Sequence, residues 1–318
     1  MKDEIIIRTI RKNQYIIKLL NLFTLCYFIM PIFVLWGFFD IVNSEGIKGI
    51  LKLILVAICV VGLLITSKIQ TRIEKNLKCF IGKNIIKEII SEKIEVQAYE
   101  ANNIISQKSI KAAGITPYYD RISGSDYIKG TYQGQIIEYC DIKMEQEHES
   151  TDDDGNTSTT WVTVFQGPFM RIPLGKELNG YIKVLERKSK RRKVGFIADL
   201  INSAINKKET NVELENEAFN NKFQVKTDNE ELAFYILTPQ FMENIMKADE
   251  YANGYTNISF INGAANIAIS NGKDAFEIKK TMYNKKRLEE SRANMRRDLD
   301  NFLSIVDEIL QKDRLFHV

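Results

Sequence analysis

Leu19-Leu-Asn-Leu-Phe-Thr-Leu-Cys-Tyr-Phe-Ile-Met-Pro-Ile-Phe-Val-Leu-Trp-Gly-Phe-Phe39 runs for 21 residues without a charged side chain. Wound as a helix, it is about 30 Å long, the thickness of the hydrocarbon core of a bilayer. Lys18 and Asp40 bound it, and Trp36 stands near one end, where an interfacial ring is favoured. Pro31 lies at mid-span, where a kink is tolerated in a transmembrane helix. A second apolar run, Leu53 to Ser67, lies between Lys52 and Lys68. It becomes long enough to span once Gly49, Ile50 and Leu51 are added and Lys52 snorkels outward. A buried core helix is the alternative for this run. Its closeness to the first favours a returning span. A cleaved signal peptide is disfavoured, because the first run is too long and no small-residue cleavage site follows it.

Working outward, the flanking charges set the orientation. Lys2, Arg8, Arg11, Lys12 and Lys18 precede the first run, and Lys68, Arg72, Lys75 and Lys78 follow the second. The intervening loop offers Lys48 and Lys52. The excess of lysine and arginine on both outer flanks predicts two cytoplasmic termini and an external hairpin. The expected organisation is a basic tail over 1–18, transmembrane helices over 19–39 and 49–67, an external loop over 40–48, a helical stalk over 68–112, a domain over 113–283 and a C-terminal helix over 284–318. The expected location is a cell inner membrane, crossed twice.

The rest of the 318 residues have the composition of a soluble domain, and a net charge of +3 is too weak to argue for nucleic acid. Of four cysteines, Cys26 and Cys59 lie in the apolar runs, leaving Cys79 and Cys140. No spacing suggests a disulfide framework or a zinc site. No cofactor or metal is expected.

From Lys68 to about Gln97, Ile73, Leu77, Phe80, Ile81, Ile85, Ile89 and Ile90 recur at helical spacing and predict one helix. From Asp126 the period changes to that of strands. Gln135–Met144 alternates, and Thr159–Phe165 is rich in β-branched and aromatic residues. The acidic stretch Glu145–Ser158 between them reads as a long solvated hairpin loop. Further strands are expected at Phe169–Leu174, Tyr181–Leu185, Val212–Leu214, Phe223–Val225, Thr256–Ile261 and Asn266–Ser270. Asn262-Gly263 marks a hairpin between the last two. Asp228–Lys247 reads as helical with a break at Thr238-Pro239, a cap followed by proline at the first helical position. In the tail, Met295, Leu299, Phe302, Val306 and Ile309 form a heptad seam. Packing on its own domain is favoured there over a homodimer through this helix. The fold class expected is α+β: two N-terminal transmembrane helices, a mostly antiparallel cytoplasmic domain and a long amphipathic C-terminal helix.

Three stretches carry a family likeness. They are Ile122-Ser-Gly-Ser-Asp126-Tyr-Ile-Lys-Gly130-Thr-Tyr, then Val164-Phe165-Gln-Gly167-Pro-Phe169, and most specifically Val212–Val225 running on through Asp228 and Glu231–Met242. With two spans placed ahead of them, they make the chain resemble an uncharacterised bacterial membrane family, domain of unknown function three-one-three-seven. The likeness covers most of Lys68 to Ile278. It implies a shared fold and a bacterial inner-membrane setting, and it supplies no catalytic residues.

No catalytic constellation emerges. His148, in the acidic stretch, and His317 sit where no scaffold would hold a general base. Asp152-Asp-Asp-Gly155-Asn156 fails the spacing of a calcium-binding EF-hand loop, and no phosphate-cradling glycine motif is present. Asp126 and Asp228 could form a carboxylate pair for acid–base work, with capping and turn roles favoured; Asp228 reads as a helix N-cap. The basic run Arg187, Lys188, Lys190, Arg191, Arg192 and Lys193 is the best contact candidate, suited to anionic lipid head groups or a protein partner. A short helix over Phe196–Ile205 could dip into the interface behind it. The function expected is a membrane-anchored, non-enzymatic interaction domain binding a partner protein or the anionic membrane surface. The alternative is a membrane-tethered hydrolase using carboxylates. A transporter is disfavoured, because neither run holds an ionisable residue.

Overall fold

The computed structural model describes residues 2–36, 47–151, 157–187, 209–252, 254–276 and 284–311. They fall into two compact units. The first is Met1–Asn84 with Ile278–Ser291, and the second is Ile85–Glu277 with Arg292–Val318.

The first unit is built on helices α1 (Lys2–Trp36) and α2 (Ile47–Ile81). They pack on each other, and the absence of a side chain at Gly62 sets their approach: a Cβ there would lie 2.9 Å from the Tyr27 ring. Their outer surfaces are apolar, with Leu22, Phe23, Leu25, Phe28, Ile54, Ile58, Val61 and Leu64 all exposed. Among the described residues one helical stretch, Ile54–Ile90, is long and apolar enough to cross a membrane. It reaches a mean hydropathy of 2.0 over 18 residues, of which 6% is buried. The first expected span is helical through Trp36, and its residues 37–39 lie outside the described residues.

Beyond α2 the helix continues through a π turn (Gly82–Ile86) and α3 (Lys87–Ile90), then stops. This is short of the Gln97 that its apolar spacing predicts. Ser91, Glu92, Lys93 and Ile94 close the helix with main-chain bonds to Lys87, Ile89 and Ile90, and β1 (Glu95–Glu100) begins at once. Ile94 lies four residues after Ile90, as in a helix, but it also starts the two-residue alternation Ile94, Val96, Ala98. Pairing with β2 decides in favour of the strand.

The second unit is α+β. Its nine strands form one antiparallel sheet in the order β1-β2-β3-β4-β9-β8-β5-β7-β6. The remaining strands are β2 (Arg121–Tyr132), β3 (Gln135–Thr151), β4 (Thr157–Pro173), β5 (Ile182–Glu186), β6 (Thr210–Val212), β7 (Phe223–Thr227), β8 (Tyr255–Ile261) and β9 (Ala264–Ser270). Gln133-Gly134 and Asn262-Gly263 make the two-residue turns β2–β3 and β8–β9 with positive φ at both positions, the turn geometry that matches strand twist. The helices are α4 (Gln107–Ala113), α5 (Glu217–Lys222), α6 (Glu230–Ile236), α7 (Pro239–Ala252) and α8 (Lys285–Leu310), the last of which enters this unit from Arg292 onward.

Strand β3 is buried on both faces. Cys140, Ile142 and Met144 join Ile110 and Ala113 of α4, Phe165 and Phe169 in one core. On the other face Tyr139 meets Phe302 of α8 edge-on at 5.0 Å and Phe276 at 5.7 Å. All five seam residues of α8, Met295 to Ile309, are buried within the chain, so the heptad pattern is used on its own domain.

The acidic stretch differs from expectation. Glu145–Thr151 is strand rather than loop, in register with Thr157–Thr163, and only 152–156 at the tip lie outside the described residues. Backbone ladder bonds hold this polar sequence extended without an apolar face. Gly167-Pro168 does not end β4, because Pro168 lies beside Asp141 within a continuous ladder and Gly167 takes φ 143°.

Candidate functional site

Asp126, Asp141 and Asp274 converge, with one carboxylate oxygen from each within 4.8 Å of the others. Three separate segments bring them together. Asp126 occupies a bulge in β2, where the register slips between Ser125 and Ile128, and its φ of 58° turns the side chain inward. The bulge is fastened by Asp126 N–H to Ala101 O at 3.3 Å and Tyr127 N–H to Asn103 O at 3.2 Å. Asp141 lies mid-β3 on the Tyr139 face. Asp274 comes from the loop after β9, which is tied to β4 by the Asn271 and Gly272 amides donating to Gln166 O.

Hydroxyls orient the carboxylates. Tyr99 donates to Asp126 Oδ1 at 2.6 Å, Tyr139 to Asp141 Oδ2 at 3.1 Å, and Ser125 to Asp274 Oδ2 at 3.4 Å. The Ala275 N–H also points to Asp141 Oδ2, at 3.3 Å. Asp141 Oδ1 is buried and receives no hydrogen bond. Asp126 is 0% exposed and Asp141 3%, whereas Asp274 is half-buried at the rim. Burial, then the charges of Asp274 and Asp126, hold the Asp141 carboxyl well above the usual carboxylate range. Two negative charges at the 4.8 Å limit repel by about 3.5 kcal/mol at an effective dielectric near 20. A proton or a cation among the three carboxylates would relieve that repulsion.

Of the two aspartates singled out in the sequence, the structure brings Asp126 into this cluster and leaves Asp228 six strand positions away along the sheet. Nor is Asp228 the helix cap: its Oδ1 accepts the Tyr181 N–H at 2.7 Å, and Asn229 caps α6 through Leu232 N–H. Sequence reasoning does not single out Asp141 and Asp274, which lie 15 and 148 residues from Asp126 in the chain. The available signal was an aspartate flanked by Cys140 and Ile142 in an apolar strand.

Of the basic run, Arg187 is anchored. Its N–H donates to Lys222 O and its Nε to Asn220 O, both at 2.8 Å. Lys188, Lys190, Arg191, Arg192, Lys193 and the expected helix over Phe196–Ile205 lie outside the described residues, as does His317. His148 stands exposed on β3.

A second feature is the two-stranded ribbon 145–151/157–163. Among the described residues 146–151 have no ladder partner on β2 and 157–163 none on β9, so in the ladder each strand pairs with the other, while at the root Gln146 Nε2 donates to Tyr118 O and the Glu147 N–H to Asp120 Oδ2, both at 2.8 Å. Between Glu145 and Thr163 the sequence holds Glu145, Glu147, Glu149, Asp152, Asp153 and Asp154 and no lysine or arginine. At its root Arg121 stacks over Trp161 at 3.9 Å and donates to Glu145 at 2.7 Å. Arg121 and Lys143 together hold the Glu145 carboxyl down to about 2.

Comparison with known proteins bears on the family. No curated protein matches the chain. A solved structure, the crystal structure of the mycobacterial trehalose monomycolate transport factor A, TtfA, is similar at 9% identity with a TM-score of 0.33, over 69% of this chain and 92% of that one. Residues 163–311 match the family model described as protein of unknown function, DUF3137. The matched stretch includes Asp274 and stops short of Asp126 and Asp141. The likeness to that family thus rests on segment 163–311, just under half of the chain.

Proposed function

We propose that the chain is a membrane-anchored, non-enzymatic interaction domain that uses its acidic ribbon to bind a partner protein carrying a basic surface at the cytoplasmic face of an inner membrane. The observation that carries this reading is the ribbon itself. Isolated two-stranded ribbons are marginal in water, and this one adds little to the core, so its length is better accounted for by contact outside the chain. Its charge suits a basic partner and would be repelled by anionic head groups. Contact with anionic lipid would instead fall to Lys188–Lys193.

Anchoring by two spans, with both termini cytoplasmic, is supported by the apolar outward surfaces of α1 and α2 and by the flanking lysines and arginines. The alternative reading, a membrane-tethered hydrolase, draws on Asp126. That side chain is fully buried rather than open in a cleft, which favours the interaction reading.

The test places a photo-crosslinking residue at Trp161, 39% exposed, in the full-length protein in native membranes, with Tyr251, 45% exposed, as the control position. A discrete adduct from position 161, absent from 251 and lost when Glu147, Glu149 and Asp152–Asp154 are neutralised, supports the proposal. Identical patterns from both positions, or an adduct indifferent to those charges, overturn it.

A further inference from the structure

We propose that Asp126, Asp141 and Asp274 bind one divalent cation of the hard, oxygen-preferring class: magnesium, manganese or calcium. This goes beyond the interaction reading and stands on different residues. Three carboxylate oxygens lie within 4.8 Å of one another, a span that one ion can bridge. All donors are oxygen, with no histidine or cysteine in the cluster, which selects hard cations over zinc or copper. Asp141 supplies the independent observation: it is 3% exposed, its Oδ1 has no hydrogen-bond donor, and no lysine or arginine pairs with it among the described residues. A buried, half-satisfied carboxylate facing two others is expected to be compensated.

Hydroxyl groups surround the three carboxylates. Tyr99, Tyr139 and Ser125 each hold one oxygen of one aspartate, which fixes the orientation of the carboxylate as metal-site supporting groups do. Half-buried Asp274 provides the route of entry. A bound cation would staple the β2 bulge and β3 to the loop that leads from β9 toward Phe276. The rival account is a proton held among the three carboxylates.

The experiment uses the full chain in detergent, stripped with EDTA and dialysed, then titrated separately with manganese, magnesium and calcium chlorides. Binding is followed by calorimetry, and for manganese also by electron paramagnetic resonance, with thermal midpoints recorded alongside. The proposal expects one saturable site per chain and a rise in midpoint of about 5–10 °C at a hundredfold excess over Kd. Asp141→Asn and Asp274→Asn should each weaken binding at least tenfold, while Asp152→Asn/Asp153→Asn/Asp154→Asn leaves it unchanged. Without metal, Asp141→Asn should melt no lower than the stripped wild type, since it relieves repulsion. If Asp141→Asn does not fold, Asp274→Asn at the rim decides. No saturable binding to the wild type, as a shared proton predicts, overturns the proposal. So does binding unchanged in Asp274→Asn, or binding lost only in the ribbon-tip triple variant.

Discussion

Tyr139 and Asp141 meet through a 3.1 Å hydrogen bond on one face of β3, while the Tyr139 ring is gripped between Phe276 and Phe302. Ring packing and the hydroxyl contribute separately. Tyr139→Phe keeps the aromatic contacts and loses one hydrogen bond, so chemical denaturation should show a loss of about 1 kcal/mol. Tyr139→Ala should lose about 3–5 kcal/mol through the cavity between β3 and α8. Equal losses for the two variants would mean that the aromatic cluster is not what holds α8 to the sheet.

Gly124 is a sharper probe of the β2–β3 ladder. A Cβ there would lie 2.1 Å from the Asp141 carbonyl oxygen and 2.6 Å from Ile104 Cγ2. Main chain cannot yield as a flexible side chain can, so Gly124→Ala should cost about 3 kcal/mol or prevent folding. Gly263→Ala is the counterpart: its Cβ meets open space and the cost comes from φ 65° alone, about 1 kcal/mol. Urea midpoints of the two variants check both values.

Glu186 gives a pH dependence with a defined sign. Burial, opposed by the Thr256 N–H it accepts and assisted by Asp249, raises its carboxyl to about 6. The folded state therefore binds a proton more tightly than the unfolded state, where the value is 4.5. The resulting penalty is absent below pH 4.5, grows as pH rises through 4.5–6, and is constant above. After discounting for partial exposure it is about 1 kcal/mol. Glu186→Gln should thus raise the unfolding free energy by about that amount at pH 8 and by nearly nothing at pH 4.5. A gain independent of pH would contradict this.

Shortening the ribbon tests whether it serves the fold. Replacing residues 146–162 by an Asn-Gly turn removes the Trp161–Arg121 stack, the exposed hydrogen bonds from Gln146 to Tyr118 O and from Glu147 N–H to Asp120, and no buried core residue. Stability should change by about 1 kcal/mol or less, measured by thermal melting. Loss of folding would show that the ribbon is structural.

The parts of this fold legible in the sequence are those governed by local rules. Asn262-Gly263 announced its hairpin, since few residue pairs accept φ of 53° and 65° in succession. Thr238-Pro239 announced the start of α7, where the Thr238 oxygens accept the Phe241 and Met242 amides. The spacing of Met295 to Ile309 announced the buried seam of α8. Where pairing partners far along the chain decide, local sequence pattern does not reveal the outcome. Ile94 fits a helix and a strand equally until β2 is present to pair with the residues from Glu95 onward. Glu145–Thr151 lacks any apolar alternation and is extended by Thr157–Thr163 alone. The aspartate cluster is the extreme case, because the sheet register and a bulge assemble it from positions 126, 141 and 274 and no spacing rule connects them.

In the proposed topology two helices hold the chain in the membrane and leave its sheet domain in the cytoplasm, and cysteine labelling distinguishes this from the reverse arrangement. Cys26, Cys59 and Cys79 are replaced. Cys140 stays, being buried with its thiol pushed up to about 12 and therefore unreactive. Asn156→Cys is introduced at the ribbon tip, and cells are treated with a membrane-impermeant maleimide. No labelling of intact cells and full labelling once they are opened is the expected result. Labelling of intact cells would place the ribbon outside and contradict it.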